Sequence, residues 1–427
     1  MEECDMNQEM DVAPALIAFH SNHKSVSVAV GSDLRVFDLE NGCSVKLVDD
    51  SANPFHKGSI RAIRYGASGK LFVSAGDDKL IKIWDSETWR CICTISSGKR
   101  ITAVALTHDC SFVCFADKFG VVWAVNLDEH LKSQDVEIKK AAPILSHYCS
   151  IITRLEFSPD GRFIISADRD FKIRVTLFPK FPSDGANEIQ SFCLGHTQYV
   201  SCLSFICTSQ HPDGFLVSGS GDSTVRVWDI ITGSLLATCD VGVEAGLIES
   251  DKSEEECTLA VTDICAVPDH SLVAVAIQSL SGIMLLNYNV SVRSLSLVKV
   301  ISIPEENFVP TSLGIGSKDV LWMVSGISNL QGVASSCLAR VRVISGLNKT
   351  NPDSIESGPV LLDDNDVPGS VELLEKLQGN LAIKKEMLLE ASEILKYAMR
   401  KLLIKKHYSV ENRDFRKRER NDRKNKR

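Results

Sequence analysis

Val217-Ser218-Gly219-Ser220-Gly221-Asp222-Ser223-Thr224-Val225-Arg226-Val227-Trp228-Asp229 decides the fold of this 427-residue chain. An apolar strand enters a tight turn and returns as an alternating strand that ends in an aromatic. Two other segments align with it without gaps: Val73-Ser74-Ala75-Gly76-Asp77-Asp78-Lys79-Leu80-Ile81-Lys82-Ile83-Trp84-Asp85 and Ile165-Ser166-Ala167-Asp168-Arg169-Asp170-Phe171-Lys172-Ile173-Arg174-Val175-Thr176. A looser copy ends Ala116-Asp117-Lys118-Phe119-Gly120-Val121-Val122-Trp123. In every copy an Asp stands six residues before the aromatic position: Asp78, Asp117, Asp170 and Asp222. An Asp side chain at such a turn bonds nearby backbone amides.

Outward from the quoted stretch, Gly195-His196 lies 32 residues before Trp228. That spacing ties His, Asp and Trp of one four-stranded unit together and resembles the WD40 family. The resemblance implies structural roles for His196, Asp78, Asp117, Asp170, Asp222, Trp84 and Trp228, and an all-β propeller as the fold. Shortened signatures and strand-like runs place one blade at the N-terminus, from Pro14 to Val48. Four follow at 60–97, 101–147, 150–193 and 197–240, and two more over Leu259–Val300 and Phe308–Ile344. Seven blades fall within the range of about 4–8 that propellers use.

The propeller is thus expected over 12–348, after a disordered segment 1–11. A Pro-, Asp-, Ser- and Gly-rich linker follows over 349–370. From 371 to 408 the apolar positions Leu374, Leu377, Leu381, Leu388, Ala391, Leu395, Ala398 and Leu402 keep helical steps, broken only by Lys384, and predict one α-helix. It either packs on the propeller or meets a partner. The remainder, 409–427, reads as a disordered basic tail containing Arg416, Lys417, Arg418, Arg420, Arg423 and Lys424. Such a tail suits phosphate contact or nuclear import. The net charge of −8 divides unevenly: residues 396–427 hold 14 Lys/Arg against 4 Asp/Glu, and the rest 33 against 51. An acidic body is poorly suited to gripping nucleic acid over its whole surface.

Motifs for catalysis are missing from the chain. Leu313-Gly314-Ile315-Gly316-Ser317 is the nearest approach to a dinucleotide turn, but strands surround it where a helix should follow. There is no P-loop, GxSxG, HExxH or kinase signature. The 14 cysteines lack paired CxxC spacing, so no metal site is expected; they read as reduced core residues. No run of about 18 apolar residues occurs, so no membrane span is expected. The acidic N-terminus has no signal-peptide pattern. Asn289 and Asn348 match the glycosylation pattern, which has meaning only in a chain that enters the secretory route.

Comparison of the repeat with itself singles out one blade. Arg169 replaces Asp77 and Gly221 of the other copies, and Lys172 replaces Leu80 and Thr224. Arg174 is matched by Lys82 and Arg226 and is generic, while Thr176 replaces Trp. Arg169, Lys172, Asp168 and Asp170 either pair among themselves at the surface, worth about 0–1 kcal/mol, or form a rim that receives a partner's carboxylates. Arginine suits the second role because its planar fork takes a carboxylate bidentately.

The stretches Phe163-Ile164-Ile165-Ser166-Ala167-Asp168-Arg169-Asp170-Phe171-Lys172-Ile173-Arg174-Val175 and Ser191-Phe192-Cys193-Leu194-Gly195-His196-Thr197-Gln198-Tyr199-Val200-Ser201 closely resemble the non-catalytic WD-repeat subunit of tRNA (guanine-N7-)-methyltransferase. The resemblance implies a heterodimer in which this chain is not the enzyme; with the basic tail, the expected location is the nucleus, with the cytoplasm as the alternative. It would hold a Rossmann-fold catalytic subunit that carries S-adenosylmethionine, and help dock tRNA for methylation of a variable-loop guanosine. It also implies that Arg169, Lys172 and Arg174 would contact acidic residues of that subunit, on a partner-binding rim that includes Asp168, while the chain itself binds no cofactor. The rival reading is a general WD40 scaffold or ubiquitin-ligase substrate receptor. Such receptors carry Trp-Asp-x-Arg, whereas Trp84-Asp85 and Trp228-Asp229 are followed by Ser86-Glu87 and Ile230-Ile231.

Overall fold

A computed structural model describes residues 13–49, 55–128, 141–148, 150–247, 259–303, 308–317, 319–328, 337–347, 358–367, 369–379 and 389–397. Its strands form seven four-stranded antiparallel sheets. These span Leu16–Ser44, Ile60–Ser96, Ile101–Ser146, Ile152–Cys193, Val200–Asp240, Val261–Ser302 and Ser312–Leu361, here blades 1 to 7. Strand order within each blade follows the chain. The first strand of every blade packs against the first strands of its neighbours, so these seven strands form the inner ring.

Alternation explains the assembly. Residues 26, 28 and 30 of Ser25–Val30 and 73 and 75 of Leu71–Gly76 are buried apolar side chains that face an adjacent blade. Successive side chains of a strand point to opposite faces, and every blade is sandwiched between two others, so both faces are apolar. Sequence expectation and structure therefore agree on all seven blades. They differ at the last strand: Val360–Leu361 pairs with Ile344 and Ser345 and completes blade 7 from within the segment read as a linker.

A line of hydroxyls stitches half of the ring. Thr153 Oγ1 donates to Val200 O at 2.6 Å, Ser201 Oγ to Val261 O at 2.6 Å, Thr262 Oγ1 to Pro310 O at 2.7 Å, and Thr311 Oγ1 to Ala15 O at 2.6 Å. Each donor sits on the inner strand of one blade, or just before it, and each acceptor belongs to the next blade. The last bond crosses the seam between blades 7 and 1.

That seam has no shared strand, because blade 1 supplies all four of its own. It is closed instead by short main-chain contacts, Ala15 N to Gly326 O at 3.0 Å and a bridge between Pro14 and Ile327, and by the helix Ser370–Gln378. Leu373, Leu374 and Leu377 of this helix are buried in one cluster with Phe37 and Val28 of blade 1 and Val341 and Val343 of blade 7. Polar bonds reach the same two blades. Arg35 Nη1 donates to Leu377 O at 3.1 Å, and Gln378 Oε1 accepts from Val341 N at 3.0 Å and from Arg340 Nη1 at 3.1 Å.

The single helix expected over 371–408 is not what forms. The first helix stops at Gly379, whose φ of +84° suits glycine and ends a helix. Residues 389–397 are helical again, with Ala391 and Leu395 buried and Lys396 O accepting from Gln278 Nε2 at 2.9 Å in blade 6. The packed alternative for the apolar seam thus holds for Leu374, Leu377, Ala391 and Leu395. Leu381, Lys384, Leu388, Ala398 and Leu402 lie outside the described residues, as do segment 1–11 and the tail with Arg416, Lys417, Arg418, Arg420, Arg423 and Lys424. No helix among the described residues is long and apolar enough to cross a membrane.

Candidate protein-docking rim

Three blades carry the same buried polar cluster. In blade 5, His196 Nδ1 lies 2.9 Å from Asp222 Oδ2 and Nε2 lies 2.8 Å from Ser218 Oγ, which also accepts from Trp228 Nε1 at 2.8 Å. Because Ser218 accepts from Trp228, its own proton goes to Nε2, leaving Nδ1–H to donate to the carboxylate. Blade 2 repeats this with His56, Asp78, Ser74 and Trp84 at 2.8, 2.8 and 3.0 Å. His56 was hidden from the sequence comparison because no Gly precedes it. Burial acts to raise the Asp222 carboxyl, but hydrogen bonds from His196, Thr224 and Thr197 outweigh it and hold the group below the ordinary carboxylate range. Blade 3 has no histidine in this role: Asp117 Oδ2 accepts directly from Trp123 Nε1 at 3.0 Å, and its Oδ1 from the amides of Phe119 and Val121.

Blade 4 corrects two assignments. His147 Nδ1 pairs with Asp168 Oδ2 at 2.8 Å and His147 Nε2 with Ser166 Oγ at 2.8 Å. Asp168 Oδ1 accepts from the amides of Asp170 and Lys172 at 2.8 and 3.0 Å. Asp168, not Asp170, is therefore the structural Asp of this blade. Being 1% exposed with both oxygens bonded, it is no partner-binding residue. Asp170 instead stands beside Arg169. Burial lowers the Arg169 guanidinium from its ordinary value and the Asp170 charge opposes this.

With Asp168 turned inward, the cations remain outside. Lys172 is exposed and Arg169 and Arg174 are half-buried. Arg174 Nε donates to Thr176 Oγ1 at 3.1 Å and its Nη1 to Ser146 O at 3.2 Å. Backbone bonds connect this turn to blade 3: Arg169 N donates to Ile151 O at 3.0 Å, His147 N to Gly120 O at 2.8 Å, and Lys118 N to Arg100 O at 3.0 Å. Lys99, Arg100 and Lys118 thus join Arg169 and Lys172 on one rim. Lys99 and Lys118 lie 5.1 and 5.5 Å from the ring centre of Phe119. Phe119, Tyr148 and Phe171 are exposed along the same rim. Arg100 Nη1 also approaches Asp77 Oδ1 at 3.9 Å. On a body whose charge balance is acidic, a cationic rim with exposed aromatics is a candidate surface for an acidic partner. Sequence comparison missed Lys99, Arg100 and Lys118 because blade 3 aligns only loosely with its siblings.

Among the described residues no cluster of three His, Cys, Asp or Glu is placed to hold a metal. The central channel, about 370 Å³, is lined by Arg64, Arg154, Glu156 and Asp263 among others. Its charges are paired, Arg64 with Glu156 at 2.7 Å and Arg154 with Asp263 at 3.6 Å.

Fold and rim together define a WD-repeat β-propeller with a cationic rim across blades 3 and 4. Within that class the chain is similar in sequence to WD-repeat non-catalytic subunits of tRNA (guanine-N7)-methyltransferase. A family model described as the tRNA methyltransferase TRM82 WD40 domain matches residues 132–325, and one described as a WD domain, G-beta repeat, matches 53–85. The "tRNA (guanine-N(7)-)-methyltransferase non-catalytic subunit wdr4" of Danio rerio is 34% identical over 267 residues, 62% of this chain and 59% of that protein. The protein of the same description from Dictyostelium discoideum is 28% identical over 325 residues, 73% and 65% of the two chains. The Homo sapiens protein is 32% identical over 234 residues, 54% and 53% of the two chains. The chain thus spans somewhat under two thirds of the length of these relatives. Of solved structures, "Structure of U3-55K" superposes with a TM-score of 0.59 at 18% identity, covering 73% of this chain and 88% of that one, which bears on the fold alone.

Proposed function

We propose that this chain is the non-catalytic subunit of a tRNA (guanine-N7)-methyltransferase heterodimer. The propeller holds and stabilises a separate catalytic chain, which binds S-adenosylmethionine and methylates a variable-loop guanosine. One observation carries this reading. The TRM82-type match over 132–325 includes blade 4, where the repeat departs from itself at Arg169 and Lys172 and where both residues lie outside the buried His147–Asp168 pair. Arg169, Lys172 and Arg174 then meet carboxylates of the catalytic chain, with Lys99, Arg100 and Lys118 extending the contact across blade 3. The basic tail 409–427 contacts tRNA phosphate or directs the complex to the nucleus. The propeller takes no part in the chemical step and holds no cofactor.

The test is co-purification of this chain with the catalytic subunit and assay of N7 methylation in tRNA. Activity should appear only when both chains are present. Lys172→Glu, folded by circular dichroism, should weaken the complex about tenfold or more, equivalent to about 1.4 kcal/mol, and reduce its salt dependence. Wild-type affinity for that variant refutes the rim assignment, and co-purification with a ubiquitin-ligase adaptor in place of a methyltransferase refutes the function.

A further inference from the structure

Blade 2 and blade 4 share a register on their outer strands. Lys82 faces Thr94 and Trp84 faces Cys91 in blade 2, with a bulge between Ile83 and Trp84. Arg174 faces Phe192 and Thr176 faces Ile189 in blade 4, with a bulge between Val175 and Thr176. Lys82 therefore corresponds to Arg174, Thr94 to Phe192 and Cys91 to Ile189.

The two faces are filled differently. In blade 2 the connector from blade 1 crosses the outer edge as an extended segment. Val48 pairs in parallel with Arg90, donating to Trp89 O at 3.0 Å and accepting from Cys91 N at 2.8 Å. The next residue, Asp49, meets Lys82 Nζ at 2.5 Å, and both side chains are sealed from solvent. In blade 5 the corresponding Arg226 is half-buried like Arg174, and the preceding connector comes close to it, a Cβ on Gly195 lying 2.6 Å from its Nη1. Blade 4 has only the short connector after Ser146, which gives Arg174 one main-chain carbonyl. Arg174 stays half-buried, and Ile189, Phe192 and Leu194 are exposed beside it.

We infer that the outer edge of blade 4 takes from the protein partner what blade 2 takes from its own chain: an extended acidic segment that pairs with 187–189 at the start of the outer strand and sets a carboxylate on Arg174. Blade 2 is joined over Trp89–Cys91, which corresponds to 187–189 at the start of this strand, ahead of Phe192, whose carbonyl lies against Gly233 of blade 5; an exposed strand edge is a template for strand addition. Exposed Phe192 and Leu194 supply apolar contact, and Lys172 lies next to Leu194 in continuation of the strand register. The charge sign selects the occupant, since only an acidic segment reproduces the Asp49–Lys82 pairing. This inference rests on the proposed partnership and specifies how the partner binds.

The experiment uses the full chain with its catalytic methyltransferase subunit. Backbone amide exchange is followed with and without the partner, and affinity is measured for Ile189→Pro and Arg174→Ala. Proline at Ile189 removes the amide that corresponds to the Cys91 donor and spares the strand's inner pairing. The expected result is slowed exchange over 187–189 in the complex, with at least tenfold weaker binding for both variants and an unchanged melting temperature for Ile189→Pro. If exchange slows only around 169–172 and Ile189→Pro binds as wild type, the strand addition is overturned while the partnership stands. If wild type forms no complex at all, both are overturned. Should Ile189→Pro lower the melting temperature, Phe192→Ser replaces it, and wild-type affinity for Phe192→Ser together with unprotected 187–189 amides overturns the inference.

Discussion

His147 Nδ1 donates to Asp168 Oδ2 across 2.8 Å of buried space, and this bond separates the structural from the exposed half of blade 4's turn. Asp168 occupies the position of Gly76 in blade 2, two residues before the position of Asp78. The histidine is therefore reached from the end of the strand Phe163–Asp168 and not from the turn that follows. The loop tip is left to Arg169, Asp170 and Lys172.

Replacing Asp168 with Ala should destabilise the protein by about 2–4 kcal/mol, because His147 and two turn amides lose their acceptor inside the fold. Asp170→Ala, at the half-buried tip, should cost less than about 1 kcal/mol. Urea unfolding of the two variants measures the difference, and equal losses would return the structural role to Asp170.

Acid should loosen the blade clusters. Asp222 and Asp78 are held below the ordinary carboxylate range in the folded chain, by hydrogen bonds from His196 and His56 acting against burial. A depressed folded value means that the unfolded chain binds the proton more readily. The stabilisation is thus complete above the unfolded value of about 3.9 and is lost as pH falls below it towards the folded value. Urea midpoints measured from pH 6 to pH 3 should drop, and Asp222→Asn should drop less steeply than wild type while starting lower.

The seam between blades 7 and 1 depends on a helix in place of a shared strand. Leu374→Ala removes a side chain that is 1% exposed between the two blades and should cost about 2–5 kcal/mol. Native-state amide exchange should accelerate first in blades 1 and 7. Uniform acceleration around the ring would show that the helix does not close it.

Asp49→Ala should destabilise by about 3–5 kcal/mol, since it leaves the Lys82 ammonium buried without its carboxylate. Lys82→Met in the same chain should recover much of that loss. A double-mutant cycle by thermal unfolding measures the coupling. Additive losses would mean that Asp49 and Lys82 do not depend on each other.

The sequence by itself determined the class of fold, the number of blades and the blade that departs from its siblings. These follow from local regularities: strand alternation with period two, turn chemistry at Asp78 and Asp222, and the Gly195-His196 spacing to Trp228. Arg169 and Lys172 were legible because repeats serve as each other's controls. Tertiary structure alone decided which Asp meets a histidine, because a two-residue offset at a turn is set by where His56 or His147 sits on a different connector. It also decided that a helix ending at Gly379 seals the ring, and that Lys82 and Arg174, alike in sequence, differ in burial. Those outcomes depend on segments distant in the chain meeting at one point, Asp49 over Lys82 and Leu374 between Phe37 and Val341, and no local pattern encodes such meetings.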